Sequence, residues 1–398
     1  MSKVLSSSLI KPSVKSQYDI IVIGGGIQGA STALLAKKAG YSVLLVEKNT
    51  WASGTSSKSS KLIHGGLRYL QTGQFKLVYE CLKERNWMLE KMPALVKPNW
   101  FYIPIYKGGH FKAWQVHFGL WLYKLLSGRG KYSSYKKITR KDILSKKENS
   151  FSDLMSENLE CMFAYQDAQT DDEALTQYIV SEAKKAGVDC FERTECLSSK
   201  VDDKTPQLTI SIEGQEQRIN CHIVVNATGP WVNAVLKCLN VTDKILAVDL
   251  VQGSHIIISA AVNDKCFYLE APFDNRVVFC LPWKGKTMVG TTELLHKGKP
   301  EAAVATEEEI TYLTDVVVHY FPNLKFEVES SFCGLRVLPA SEKKAFLRSR
   351  DTIFHRTNHI VSIYGGKLTA WRSSAKKLLD IIDSDFRRKS KIDIDNII

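Results

Sequence analysis

Three glycines, Gly24, Gly26 and Gly29, stand in the spacing G-x-G-x-x-G, and Glu47 follows 23 residues after the first. Glycines in this pattern bring bare backbone against a pyrophosphate. The first permits a tight turn, the second lets the chain approach the phosphates, and the third lets a helix pack closely on a strand. A carboxylate at the end of the next strand can bind a ribose hydroxyl. The chemistry implied is dinucleotide binding. The acid at 47 disfavours a 2′-phosphate and hence NADP, which leaves NAD and FAD.

These residues need a strand, a helix and a second strand to position them, and the sequence supplies all three. Asp19 to Ile23 is nearly all apolar, as a strand buried on both faces requires. Ala30 to Ala39 is built from good helix formers, with Gly40 at the expected C-terminal cap. Tyr41 to Val46 reads as the second strand, with Glu47 at its end.

The next segment, SGTSSKSSKLIHGGLRYL (Ser53 to Leu70), resembles the signature of FAD-dependent, aerobic-type glycerol-3-phosphate dehydrogenases and oxidases. Ser53, Gly54, Thr55, Ser56 and Ser57 suit phosphate binding, with Lys58 and Lys61 adding positive charge. Gly65-Gly66 can let the backbone lie flat against a ring. The resemblance implies cofactor contacts at Ser53, Thr55, Ser56, Ser60, Leu62, His64, Gly65 and Gly66. A second motif, Asn226-Ala227-Thr228-Gly229, follows the apolar Ile223-Val224-Val225 and resembles the family's second flavin contact, at Ala227, Thr228 and Gly229. It also matches a glycosylation sequon, but its place after a buried strand fits the flavin reading better. A third, IYGGKLTAWR (Ile363 to Arg372), reads as a strand, a glycine pair and a helix starting near Lys367 or Leu368. A helix N-terminus offers free N–H groups and partial positive charge. In the family that end meets the flavin pyrimidine edge, which implies contacts from Gly366, Lys367, Leu368 and Thr369. The family pattern usually has Thr and Tyr where this chain has Ala370 and Trp371.

Blocks at Gln252 to Ile258, Leu281 to Glu293 and Cys333 to Ala340 extend the resemblance over residues 18 to about 380. Most members have Asp at the position of Glu293. They also continue into a helical C-terminal domain, of at least about 50 residues, which is expected to be missing from this chain ending at Ile398. The implied fold is α/β: a Rossmann-type FAD domain interleaved with a mostly antiparallel substrate domain, as in glycine oxidase and D-amino-acid oxidase. The expected division is 18–80, 155–245 and 341–380 for FAD, and 81–154 and 246–340 for the substrate cap. Residues 1–17 and 385–398 are expected as tails.

The implied reaction is oxidation of glycerol 3-phosphate to dihydroxyacetone phosphate, with hydride passing from C2 to FAD N5 and electrons on to a quinone. Such a reaction needs a base for the hydroxyl proton and cations for the phosphate, for which arginine's planar fork is suited. His255 is the favoured base, since imidazole titrates near neutrality; His64 is a second candidate. Arg336 and Arg350 match family positions near the substrate phosphate, and Arg68, Tyr69 and Thr291 match positions lining the pocket. Lys367 is placed to hold substrate or the flavin edge. Two alternatives are a related flavin oxidoreductase of another hydroxy acid or amine, and a flavin-binding protein without turnover.

Composition limits the remaining classes. Hydrophobic content of 44% and charged content of 24% are those of a soluble globular chain, and no apolar run reaches the roughly 18 residues of a spanning helix. The nine cysteines form no C-x-x-C pair, so a reducing compartment is expected and a zinc site or other metal is not. The N-terminal 17 residues lack both the apolar core of a secretion signal and the arginines of a mitochondrial one. The net charge of +12 suits anionic substrates or lipid. No nucleic-acid motif accompanies it. His110 to Leu126, HFKAWQVHFGLWLYKLL, reads either as an amphipathic helix on a membrane surface or as a core helix with a basic flank. A cytoplasmic protein, peripheral on the inner face of the cytoplasmic membrane, is therefore expected. A homodimer is left open.

Overall fold

The computed structural model describes residues 14–128, 131–144, 151, 153–201, 205–241, 245–262, 264–341, 348, 351–383 and 393–398. In chain order the strands begin with β1 (Gln17–Ile23), β2 (Val43–Val46), β3 (Leu62–Ile63), β4 (Val96–Tyr106), β5 (Tyr135–Thr139) and β6 (Leu159–Thr170). They continue with β7 (Asp189–Phe191), β8 (Thr194–Val201), β9 (Pro206–Ile212), β10 (Gln215–Asn226), β11 (Val248–Ile258) and β12 (Cys266–Glu270). The last are β13 (Val277–Trp283), β14 (Lys286–Gly290), β15 (Leu294–His296), β16 (Val328–Pro339), β17 (Ile353–Thr357) and β18 (Ile360–Tyr364). The helices are α1 (Ile27–Lys38), α2 (Phe75–Lys91), α3 (Ala113–Ser127), α4 (Arg140–Leu144), α5 (Asp172–Lys185), α6 (Val232–Cys238), α7 (Glu307–Tyr320) and α8 (Trp371–Ile382).

Two sheets organise the molecule. The first runs β17-β18-β10-β1-β2-β7, with β9 on β10 and β8 on β9. Its centre, β18-β10-β1-β2-β7, is parallel. Such strands are covered on both faces, so β2 and β18 are buried at every residue. Helix α1 packs between the sheet, α5 and α8 and is buried at nine of its positions, so it lacks a polar face. Removing the fully buried Leu34 side chain should cost about 2–5 kcal/mol. The ends of α5 follow from its sequence. Asp171 accepts the Ala174 N–H at 3.2 Å, Asp172 and Glu173 stand in the first turn, and Lys184 and Lys185 in the last, each sign opposing the helix dipole.

The second sheet runs β15-β11-β14-β13-β12-β4-β6-β3, with β16 on β11 and β5 on β6. Its pairings are antiparallel except β4 with β12. The chain crosses repeatedly between the sheets. Strands β3 and β6, from the 18–80 and 155–245 stretches expected for the nucleotide unit, pair in the second sheet.

Four elements repay description, and the last differs from the sequence expectation. Residues 215–226 form one long strand, β10, which pairs antiparallel with β9 at its start and parallel with β1 at its end. A 3-10 turn at Leu67–Leu70 precedes α2. Helix α7 lies between β15 and β16. Its capping box, Thr306 with Glu309, was a legible start signal in Thr-Glu-Glu-Glu. The third motif's helix starts at Trp371, not at Lys367 or Leu368, because Lys367 to Ala370 closes a turn in which the Ala370 N–H donates to the Lys367 carbonyl at 3.1 Å. No helix among the described residues is long and apolar enough to cross a membrane.

Candidate active site

The nucleotide end is built almost entirely from backbone. Gly24 leaves β1 at φ +108°, and a Cβ there would stand 2.7 Å from the Ala227 carbonyl oxygen. A Cβ on Gly29 would stand 1.8 Å from the Gly24 carbonyl oxygen, so α1 can approach the turn only with glycine in place. The Ala227 N–H donates to the Ile23 carbonyl at 2.8 Å, which brings the second motif beside the first. Helix α1 begins at Gly26 with no capping side chain and no acid in its first turn. That arrangement leaves a positive helix end for an anion. The Ile27 N–H donates to Ser56 Oγ at 2.9 Å, leaving the Ser56 proton available to donate. Glu47 accepts the Gly25 N–H at 2.7 Å through one oxygen and the Asn49 N–H at 2.9 Å through the other. Each oxygen keeps a second lone pair for a ribose hydroxyl.

The hydroxyl-rich segment after it is used differently from the sequence reading. Ser53 is half-buried and its N–H donates to the Thr50 carbonyl at 3.2 Å. Thr55 donates to the Leu335 carbonyl at 2.9 Å, tying the segment to β16. Lys61, read as a positive charge for phosphate, is buried and pairs with the fully buried Asp172. Its ammonium is consumed there and by the Ser57 carbonyl at 2.5 Å. Ser60 stands apart from the phosphate end: its hydroxyl lies 2.9 Å from His255 Nε2. Leu62 is buried in β3.

Between these ends lies a floor of two glycine pairs. Gly66 has φ +77°, and a Cβ there would meet the Tyr69 ring at 2.2 Å. Gly366 has φ +106° and packs on Gln28, whose Oε1 is buried without a hydrogen-bond partner. Thr369 Oγ1 accepts the His64 N–H at 3.2 Å and lies 3.4 Å from the His64 carbonyl, joining the two floors. Lys367 Nζ lies 3.9 Å from the centre of the Tyr69 ring and 3.8 Å from Cys81 Sγ. Burial pushes the Cys81 thiol up, with Lys367 opposing. Leu368 packs against the core around α1. Thr228 donates to Asn226 Oδ1 at 2.7 Å, and the Asn226 amide donates to the Val232 carbonyl at 2.9 Å, so this buried asparagine is a structural strand end. Gly229 opens the 3-10 turn that follows.

The second sheet supplies charged and titratable side chains. Pairing sets Arg336 opposite Val251, Gly334 opposite Gly253 and Phe332 opposite His255, so alternate residues of β11 and β16 share one face. Gly253 clears that face: a Cβ would stand 2.6 Å from both Arg336 Nη2 and Thr291 Oγ1. Arg336 donates to Thr291 at 3.1 Å and lies 4.0 Å from Glu293. The His255 ring stacks on Phe332, with centroids 4.9 Å apart and planes 10° apart, and Gly290 makes room for it. Its Nδ1 is buried without a hydrogen-bond partner. Burial first, then the positive charges of Arg336 and Lys61, push His255 down to about 3. The imidazole is therefore neutral near pH 7, and an arriving anion at Arg336 would raise its basicity. Arg68 lies 5.2 Å from the Tyr69 ring centre. Arg350 lies outside the described residues. Glu309, missed by the sequence reading, accepts from Gln252 at 2.6 Å and from Thr292, which in turn accepts the Ser254 N–H at 2.8 Å. It braces the Thr291-Thr292 turn beneath Arg336.

The fit to FAD can be judged on these contacts. A cradle closed to a Cβ at Gly24 and Gly29, a helix start with no acid in its first turn, a free lone pair on Glu47 and the unpartnered Gln28 oxygen suit a pyrophosphate, a ribose and a polar ring edge. A model of the FAD dependent oxidoreductase family matches residues 19–372. The aerobic glycerol-3-phosphate dehydrogenase of Staphylococcus haemolyticus is 33% identical over 400 residues, covering 98% of this chain and 71% of that protein. The structure of the glycerol-3-phosphate dehydrogenase from Bacillus halodurans complexed with FAD superposes with a TM-score of 0.77 at 27% identity, over 96% of this chain and 68% of that one. Glycine oxidase from Geobacillus kaustophilus, at 17% identity and TM-score 0.69 over 96% and 97% of the two chains, shares the fold. A glycine-built cradle for FAD beside a sheet that carries arginine and histidine, with a match across nearly the whole chain, makes this protein a member of the FAD-dependent oxidoreductases and, within them, of the aerobic glycerol-3-phosphate dehydrogenase family.

Proposed function

We propose that this protein oxidises sn-glycerol 3-phosphate to dihydroxyacetone phosphate. The observation that carries the reading is the shared face of β11 and β16, where glycines at 253 and 290 make room for Arg336, Thr291 and His255 in one cluster. Arg336 is the phosphate group's partner, and Thr291 orients its guanidinium. His255 takes the C2 hydroxyl proton once the phosphate dianion offsets the Arg336 charge. Lys367, Arg68 and Tyr69 close the pocket from the glycine-pair side. When bound, FAD supplies the hydride acceptor. Gly24, Gly26, Gly29, Glu47 and Ser56 would hold its phosphate and ribose end, and the turns at Gly65-Gly66 and Gly366 to Thr369 would receive its ring.

Anaerobic titration with glycerol 3-phosphate, followed by flavin absorbance, tests this. Bleaching near stoichiometry supports the reading. A yellow protein that bleaches only with another hydroxy acid or an amine, or with nothing tried, overturns it.

We further propose a quinone as electron acceptor and docking on the cytoplasmic membrane's inner face. Trp114, Phe118, Trp121 and Leu125 recur along one side of α3 and are 49–70% exposed, while Leu120 and Tyr123 on the other side are buried. Lys112 and Lys124 stand at the helix's N-cap and in its last turn, and Lys131, Lys136 and Lys137 follow it in the chain. Such a face suits an anionic interface. Flotation with anionic liposomes tests it, and protein that stays at the bottom of the gradient speaks against docking.

A further inference from the structure

We infer that Tyr123, held by a buried Asp167–Arg85 pair, is a positioning residue for the Gly65-Gly66 floor of the flavin site; the inference rests on the FAD assignment and deepens it. Gly65 donates its N–H to the Tyr123 hydroxyl at 2.7 Å, across 58 residues of chain. The same hydroxyl donates to Asp167 Oδ2 at 2.8 Å, and Asp167 Oδ1 accepts from Arg85 at 2.7 Å. All three side chains are buried.

The order of donors fixes the direction. A phenol has one proton, and here it goes to the carboxylate, so only its lone pairs remain for Gly65. Burial, and then the Asp167 charge, push the phenol well above its ordinary range, so it keeps that proton. Arg85 is anchored in turn to the Gln166 carbonyl at 3.1 Å and to Ser127 Oγ and the Tyr132 carbonyl at 2.9 Å each. The phenol oxygen is thus held by α2, α3 and β6 together. On the other side of the turn, Thr369 accepts the His64 N–H. Consecutive peptides entering the glycine pair are therefore held from two separate elements. A backbone that must lie flat against a ring needs its peptide planes set, and the glycines cannot set their own. Stability alone gives little reason for a buried ion pair, since apolar replacements commonly do as well. A carboxylate that must orient one phenol proton does give a reason.

The test uses the purified flavoprotein and the variants Tyr123→Phe and Asp167→Asn, with Ser127→Ala removing only one of the anchors of Arg85. Tyr123→Phe keeps the ring and its packing. It should raise the FAD dissociation constant by about 10-fold, the scale of one lost buried hydrogen bond, and should shift the flavin absorption envelope and midpoint potential. Asp167→Asn should move the same readouts in the same direction, and Ser127→Ala, which leaves Asp167 and Tyr123 in place, should move them least. A Tyr123→Phe protein that melts at a lower temperature yet keeps wild-type FAD affinity, spectrum and potential overturns the positioning role. A wild-type protein that binds no FAD overturns the assignment beneath it as well.

Discussion

The two ends of the site recognise their partners by different means. At the nucleotide end the chain offers its own backbone: a glycine turn, the N-terminus of α1, and a carboxylate that steadies the turn. At the substrate end it offers side chains, Arg336, Thr291 and His255, in space cleared by glycines on neighbouring strands. The first surface is framed by one β-α-β unit, which Ser56 and Ala227 flank. The second requires β11, β14 and β16 to be in register. The difference teaches that glycine serves two purposes here, as the contact itself at one end and as clearance for another side chain at the other.

The largest effect is expected where a buried charge joins the ends. Asp172→Ala would leave Lys61 buried and unpaired beside His255, at a cost of about 3–5 kcal/mol. Chemical denaturation measures it, and a loss under 1 kcal/mol would show that Lys61 escapes to solvent. Gly29→Ala targets only the nucleotide end. Its methyl would collide with the Gly24 carbonyl, at a cost of about 1–3 kcal/mol, and purified protein should carry little flavin. A normal ratio of flavin to protein absorbance would contradict the cradle.

Arg336→Ala targets only the substrate end. It should retain FAD and lose about 10- to 150-fold in kcat/KM, chiefly through KM, as one charge-assisted contact of about 1.5–3 kcal/mol would give. Unchanged affinity for glycerol 3-phosphate would remove it as the phosphate partner. The smallest effect is on pH. The unfolded chain takes up a proton on His255 near 6.5, whereas the folded chain resists it until about 3. Stability should therefore fall as pH drops through that window, by about 1 kcal/mol from pH 6.5 to 5.5. His255→Gln should flatten this slope, and an equal slope in both proteins would assign it to other groups.

Sequence determined the nucleotide end nearly completely. Gly24, Gly26, Gly29, Glu47 and the strands around them lie within 31 residues, where local spacing suffices to fix geometry. The family motifs also marked His255, Arg336 and Thr291, which strand register brings to one face. Tertiary structure alone decided how polar groups were spent. Lys61 was legible as a charge, but its burial against Asp172 was not. Thr55 was legible as a hydroxyl, but its use on the Leu335 carbonyl was not. Tyr123 was one aromatic among many in a helix readable as either surface or core, and nothing within its own segment pointed to Gly65. Likewise the helix after Gly366 began later than its pattern suggested, because a local turn closed first. The physical reason is common to these cases. A backbone turn is specified by the residues that make it, whereas a hydrogen bond or ion pair is specified by two residues that only the folded chain brings together.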